Sequence, residues 1–194
     1  MADKLSERAF EDVIIEDLAS EDTGWEEGEL EPLYERFDPG GYRERENRHY
    51  DRELALIPEE VLEFVQVTQP DEWEKLEDFH GDGAEDKFLS TLARQIKRKG
   101  AIHVLRNGLR LSGARFEHLA YFEPATDRNK AAVENYEENI FSVIPRLRYK
   151  PGSSLEVDLA IFLNGIPIFT AELKVEYTGQ DVTDAKDQDR TDRD

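Results

Sequence analysis

The chain has 194 residues, enough for one sizeable α/β domain with its own hydrophobic core. It contains no cysteine, which excludes disulfides and thiolate metal sites, and no apolar run reaches the roughly 20 residues that cross a bilayer. Its net charge of −20 by itself argues against nucleic acid as a partner, because phosphate binding rests on lysine and arginine. The N-terminus lacks the apolar core of a signal peptide, so we expect a cytoplasmic protein without a membrane segment.

Basic residues are concentrated in two stretches of this acidic chain. One stretch covers residues 94 to 115, and the other carries Arg146, Arg148 and Lys150. Such stretches bind DNA if they line one cleft. Otherwise they are an ordinary solvated surface, or part of the surface of a salt-adapted protein. The charge distribution therefore leaves nucleic-acid binding open.

The first half of the chain is predicted to be helical on either side of a long polar excursion. Apolar residues at helical spacing indicate the first helix, and residues 20 to 52, which are acidic and then mixed in charge, form the excursion. The clearest helix has basic residues in its last turn and Gly100 just beyond its end. The predicted helices cover 7–19, a segment that begins at Pro58, 71–79 and 84–100.

The second half is predicted to supply most of the sheet. The predicted strands are 101–105, 109–111, 116–122, 140–149 and the two halves of 157–174, with one helix over 127–138. The polar tail, 176–194, lacks the apolar residues of a closing element, and we expect the chain to be cut from a longer protein. The whole is predicted to be one α/β domain over 1–194, with 20–80 as a variable insertion of helices and loops.

The segment 157-VDLAIFLNGIPIFTAELK-174 is predicted to be a β-hairpin, because two apolar runs flank Asn-Gly. A two-residue loop would set Asp158 opposite Ala171 and turn it away from Glu172. A three-residue loop with a bulge would instead set Asp158 opposite Thr170, on the same face as Glu172 and diagonally adjacent to it. We expect an odd loop length or a bulge, so that the two carboxylates share a face.

Asp158, Glu172 and Lys174 at the open end of this hairpin suit phosphodiester chemistry. Two carboxylates can hold a hard divalent cation such as Mg²⁺, which lowers the pKa of a bound water and stabilises a leaving oxyanion. A neighbouring lysine can position the nucleophile or offset phosphate charge. The other interpretation is a solvated strand, since an acidic chain produces such a pattern without any site.

The sequence resembles the N-terminal nuclease region of type I restriction enzyme R (HsdR) subunits. The resemblance is carried by Asp158 and its strand, by the FxNGxP turn over 162–167 and by the Glu-Leu-Lys that ends at Lys174. It continues through the Thr-Gly-Gln that ends at Gln180 and through Gln188. It also extends upstream to Ser6-Glu7, and so covers most of the chain outside 20–80.

This resemblance implies a PD-(D/E)xK nuclease fold, which is a mixed central sheet flanked by helices, and Mg²⁺-dependent cleavage of double-stranded DNA. It implies that Asp158 and Glu172 are metal ligands and that Lys174 is the catalytic lysine. An acidic residue of the first helix completes such sites. Glu7 and Glu11 both lie on a suitable face, and we choose Glu11. Predicted DNA contacts are Gln188, Arg146 and Arg148.

The same resemblance implies partners that are not encoded in these residues. They are the modification and specificity subunits of a restriction complex, together with helicase lobes that use ATP. Two positions depart from the family pattern, since Val157 replaces a proline and Asp189 replaces a tyrosine. The second change keeps open an alternative function, a catalytically degenerate module for assembly or DNA docking.

Overall fold

A computed structural model describes residues 7–19, 41–126 and 128–174 of the chain. The described part is an α/β fold in which a four-stranded mixed sheet and a separate two-stranded hairpin pack against helices. The helices are α1 (Glu7–Ala19), α2 (Pro58–Thr68), α3 (Pro70–His80), α4 (Ala84–Lys99), α5 (Ala101–Asn107) and α6 (Lys130–Glu137). The strands are β1 (Arg43–Glu44), β2 (Leu109–Leu111), β3 (Ala114–Phe116), β4 (Phe141–Leu147), β5 (Val157–Leu163) and β6 (Ile166–Ala171).

The main sheet has the strand order β1-β4-β5-β6. Strand β1 runs parallel to β4, whereas β5 runs antiparallel to both of its neighbours, β4 and β6. This mixed sheet flanked by helices confirms the predicted fold class. The predicted tail, 176–194, lies outside the described residues.

Two predicted strands are wrong. Residues 101–105 form most of helix α5, because Gly100 with φ of 88° ends α4 and allows a second helix to begin at once. A short apolar run cannot be assigned to helix or strand by its periodicity alone.

The segment predicted as strand 116–122 is extended only at Phe116, the last residue of β3. Beyond β3, asparagine side chains form the hydrogen bonds with backbone N–H and carbonyl groups that a neighbouring strand would otherwise form. Asn139 Oδ1 accepts from the Tyr121 N–H and its Nδ2 donates to the Tyr121 carbonyl, while Asn164 Nδ2 donates to the Leu119 carbonyl. The backbone is therefore satisfied without a sheet.

The core divides along the sheet. The larger cluster joins α2 to α5 with the β2–β3 hairpin, and it includes the buried rings of Phe64, Trp73, Phe88 and Phe116. A small cluster on one face of the main sheet joins α1 to β4 and β5 through Ile15, Val143 and Leu159. Helix α1 is thus held against the strands that carry the predicted site.

A buried carboxylate ties helix α2 to the sheet. Glu60 is fully buried, and its Oε1 accepts hydrogen bonds from Arg45 Nε at 2.7 Å and Ser142 Oγ at 2.6 Å. Its Oε2 is buried without a hydrogen-bond partner. Because these partners follow β1 and lie on β4, the contact fixes α2 against the parallel edge of the sheet.

The Asn164-Gly165 turn of the β5–β6 hairpin is buried rather than solvated. Both residues have positive φ, 50° and 73°, as a two-residue hairpin turn requires. The Asn164 side chain accepts from the Ile140 N–H at 2.7 Å and donates to Asn139 Oδ1 at 3.0 Å, besides its bond to Leu119. A side chain on Gly165 would collide with the Ile57 carbonyl, so the turn fits against the start of α2 only as glycine.

The register of the hairpin then shifts at a bulge. Leu163 pairs with Ile166 across the two-residue turn and Phe162 pairs with Pro167, but Ile161 pairs with Phe169. Pro167 has no N–H to donate to the ladder, and the unpaired residue follows it directly. The expected odd loop length or bulge is therefore met by the bulge, while the loop itself has two residues.

We expect Asn164→Ala to be strongly destabilising. It leaves the buried Ile140 N–H without its partner and puts a less tolerant residue at positive φ, so the free energy of unfolding falls by about 2–4 kcal/mol. Denaturant unfolding measures the change.

Asn129→Ala is the matched control for this variant. Asn129 is exposed and caps helix α6 through its bond to the Ala132 N–H, so its loss costs about 1 kcal/mol. Equal losses in the two variants would show that the buried turn is not special.

Candidate functional site

Asp158 lies near the start of β5, at the opposite end of the strand from the buried turn. Its Oδ2 accepts a hydrogen bond from the Leu173 N–H at 2.7 Å, just beyond the end of β6. Leu159 pairs with Ala171, so continuing the register by one residue sets Asp158 opposite Glu172. The bulge is what produces this opposition, because an unbroken two-residue hairpin would have set Asp158 opposite Ala171.

Arg146 lies opposite Asp158 on the other side, in β4. Its neighbours Pro145 and Leu147 pair with Leu159 and Val157, and Arg146 itself has φ of 47°. This left-handed backbone conformation is energetically costly for any residue that has a Cβ atom. Strain of this kind concentrates at functional sites, where the surrounding structure holds it in place.

Glu11 reaches this point from helix α1. Ile15, one turn later in the helix, packs on Leu159, and the same stripe of α1 carries Glu11 toward the sheet. Glu11 is only 5% exposed. Arg146 Nε lies 3.3 Å from Glu11 Oε1, yet that oxygen makes no hydrogen bond. The pair is therefore an electrostatic contact rather than a well-formed bond.

Glu11 and Asp158 lie on either side of Arg146, which is opposite Asp158 in the sheet and contacts Glu11. Burial raises the pKa of Glu11 above its usual value, and the Arg146 guanidinium opposes this effect. The Asp12 and Asp158 carboxylates add to the increase in the pKa of Glu11. Glu11 and Asp158 thus repel one another in a partly dry place, where a cation would relieve both.

The other predicted site residues are less engaged. Glu172 and Lys174 are exposed, and neither takes part in a hydrogen bond or ion pair with other described residues. Arg148 is exposed and lies 3.5 Å from the Glu156 carboxylate. Gln188 lies outside the described residues. Within the described ranges, no three acidic or histidine side chains stand close enough to form a ready-made metal site.

The donor set nevertheless fits a hard divalent cation. Carboxylate oxygens are the ligands that Mg²⁺ and Mn²⁺ prefer, and Mg²⁺ keeps several waters, so a site needs few protein ligands. Glu11 offers a buried oxygen without a hydrogen bond, and Asp158 stands beside it. The guanidinium of Arg146 faces Glu11, and Arg8 of the same helix also lowers the pKa of Glu11.

Sequence reasoning did not foresee that Arg146, a predicted DNA contact, lies beside Glu11, and it did not foresee the hydrogen bonds of Glu60. A strand pattern does not reveal a left-handed arginine, because arginine rarely adopts this conformation. The bulge had a visible signal in Pro167, since proline inside a strand marks an edge or a bulge.

Fold and site together define a mixed α/β domain with carboxylates from a helix and a sheet grouped beside an arginine. Family comparison matches residues 4–194 to the family described as Type I restriction enzyme R protein N terminus (HSDR_N). The chain belongs to this family and is the N-terminal domain of a type I restriction enzyme R subunit. Comparison with curated proteins and with solved structures found no match. No helix in the described part is long and apolar enough to cross a membrane.

We expect Glu11→Gln to stabilise the metal-free protein. The amide removes a buried charge whose oxygen lacks a hydrogen bond, so the free energy of unfolding rises by about 1 kcal/mol. A raised folded-state pKa means that the penalty is absent at low pH and develops as pH rises through that pKa. Denaturant unfolding at pH 5 and pH 8 should therefore show a larger gain at pH 8.

Glu16→Gln is the matched control, because Glu16 is an exposed carboxylate of the same helix. It should shift stability by less than 0.5 kcal/mol or so. A fall in stability of Glu11→Gln at pH 8 would instead mean that Glu11 serves a net stabilising ion pair with Arg146.

Proposed function

We propose that this domain is the nuclease of its R subunit and hydrolyses phosphodiesters of double-stranded DNA with Mg²⁺. The observation that carries the proposal is the grouping of Glu11, Asp158 and Arg146. Burying one carboxylate beside another and straining an arginine both reduce stability, and a cation site gives a reason for each. Family membership supports the restriction setting.

In this proposal Asp158, Glu172 and Glu11 hold the cation, and its chemistry is to lower the pKa of a bound water and stabilise the leaving oxyanion. Lys174 follows Glu172 by two residues and holds the attacking water or the phosphate. Glu172 and Lys174 are exposed, so they are open to a DNA substrate. Arg146 balances Glu11 and Asp158 when no cation is bound.

The proposed partners follow from the family. Double-stranded DNA is the substrate, and the modification and specificity subunits complete the restriction complex. ATP acts through the helicase lobes of the R subunit. Arg148 and Gln188 remain proposed DNA contacts.

A second candidate function is a non-catalytic module for docking DNA or assembling the complex. The observation in its favour is that, among the described residues, the Glu172 and Lys174 side chains form no hydrogen bond or ion pair with Glu11 or Asp158. Asp189, in place of the family's tyrosine, favours the same alternative.

We expect Lys174→Ala and Asp158→Asn in the complete R subunit, assembled with its partners, to abolish DNA cleavage. Each removes a group that acts on the reacting phosphate, so the rate of cleavage should fall by about 100-fold or more. ATP hydrolysis should continue, because it belongs to other domains. Plasmid cleavage and phosphate release, measured in the same reactions, check both.

Two substitutions serve as matched controls. Lys150→Ala and Glu156→Gln remove an exposed ammonium and an exposed carboxylate from the loop between β4 and β5. Both controls should cleave normally. Normal cleavage by Lys174→Ala as well would remove its catalytic role, and normal cleavage by Asp158→Asn would leave the docking module as the better account.

A further inference from the structure

A second charged feature lies away from Glu11 and Asp158. A cavity of about 640 Å³ opens beside α4, α5 and the β2–β3 hairpin. Its charged lining, among the described residues, consists of one carboxylate, Glu117, and four cations, Lys99, Arg106, Arg110 and Arg115. We call this cavity the basic cleft. It is a local excess of positive charge on a chain whose net charge is −20.

Most cations of the basic cleft are not neutralised by the protein. Lys99, Arg106 and Arg110 are exposed and form no ion pair with any described residue. Arg115 is partly offset, because its Nε lies 3.0 Å from Glu117 Oε1. This contrasts with Arg43, Arg45 and Arg146 in the main sheet, which all face carboxylates. The positive charges of the basic cleft are therefore available to an anionic ligand.

The β2–β3 hairpin brings two of these cations directly together. Arg110 and Arg115 are cross-strand partners, and both lie on the exposed face of the hairpin. Directly opposed side chains have Cβ atoms about 4.5–5.5 Å apart, and like charges at that distance are destabilising. An anion between the two guanidiniums would remove the repulsion.

The basic cleft is also built on a close backbone contact. Gly108 ends α5 with φ of 66°, and a Cβ there would collide with the Phe116 and Glu117 carbonyl oxygens. This contact fixes the end of α5, and with it Arg106, against the strand that carries Arg115. The cations are therefore held close together before any ligand binds.

We propose that the basic cleft binds backbone phosphates of duplex DNA at a place separate from the carboxylates. Cofactor pockets are mainly apolar with a few polar groups, whereas this lining is mainly charged and polar. Exposed, unpaired arginines and lysines suit phosphate oxygens, whose contacts position a duplex without reading its sequence. The inference rests on the proposed function only in naming DNA as the polymer.

The location of the basic cleft fits a long ligand. His118, in its lining, precedes Leu119, whose carbonyl is bonded by Asn164 at the hairpin turn. Asp158 lies at the other end of β5, roughly 20 Å along the strand from that turn at about 3.4 Å per residue. One helical turn of duplex DNA is about 34 Å long, which is longer than this strand. The basic cleft would therefore hold a part of the duplex that does not lie at the candidate site itself.

The test is DNA binding by the complete R subunit carrying Arg106→Ala and Arg110→Ala together. Fluorescence anisotropy with a labelled duplex is measured in EDTA, so that no cation occupies the candidate site, across a range of salt concentrations. We expect affinity to fall at least tenfold at low salt. The slope of log affinity against log salt should decrease by about 1.8, since each lost phosphate contact contributes about 0.9.

The matched control is Lys87→Ala with Lys130→Ala. It removes the same charge from exposed positions outside the basic cleft. Affinity and salt slope should stay near the wild-type values. Asp158→Asn tests the nuclease proposal separately, because its expected effect is a loss of cleavage in Mg²⁺ rather than a change in the basic cleft. Melting of the double variant should be unchanged or higher, because the Arg110–Arg115 repulsion is gone.

Three outcomes would overturn the inference. One is equal affinity and slope for the double variant and wild type. Another is an equal loss for the double variant and its control, which would mean a general effect of charge. The third is displacement of DNA from wild type, and not from the double variant, by millimolar nucleoside triphosphate at constant ionic strength, which would assign the basic cleft to a small anion.

Discussion

The buried Asn164-Gly165 turn is the constraint on which the rest of the structure depends. A hairpin turn is normally solvated, but here the Asn164 amide bonds the backbone of two other segments and the side chain of Asn139. Gly165 meanwhile lies against the start of α2. Because one end of the hairpin is fixed in the core, the register of both strands is fixed. The bulge after Pro167 then determines what faces Asp158 at the open end.

The open end shows the opposite character, since several of its features reduce stability. Glu11 is buried with an oxygen that lacks a hydrogen bond, it has Asp158 as a like-charged neighbour, and Arg146 is held at positive φ. A domain of this size is stable by only a few kcal/mol, so such features persist when they serve function. A firmly anchored turn and a strained open end together are what a rigid scaffold for a reactive site requires.

Much of this arrangement was predictable from the sequence. Helical spacing gave α1 to α4, and Asn-Gly between apolar runs gave the hairpin, because both are local patterns. Glu11, predicted from α1 as a site residue, lies beside Arg146 in the structure, and its role as a metal ligand stays a prediction. Residues 101–105 were predicted as a strand because helix α5 has only seven residues. Its two buried residues, Val104 and Leu105, are adjacent and carry too little periodicity to indicate a helix.

What the sequence did not reveal depends on long-range contacts. The left-handed Arg146 follows from its place between α1 and β5, and the irregular path after Phe116 follows from side chains of Asn139 and Asn164 that lie far along the chain. The basic stretch over 94 to 115 was visible as composition, but its cleft required the close packing of Gly108 on β3. Spacing in sequence cannot supply such contacts.

We propose that Glu11 and Asp158 form part of a divalent cation site, and calorimetric titration of the protein with Mn²⁺, and then with Mg²⁺, measures this binding. We expect saturable binding that is lost in Asp158→Asn, weakened in Glu11→Gln and retained in Glu156→Gln. Binding that is absent from the wild type, or equal in all four proteins, would contradict it.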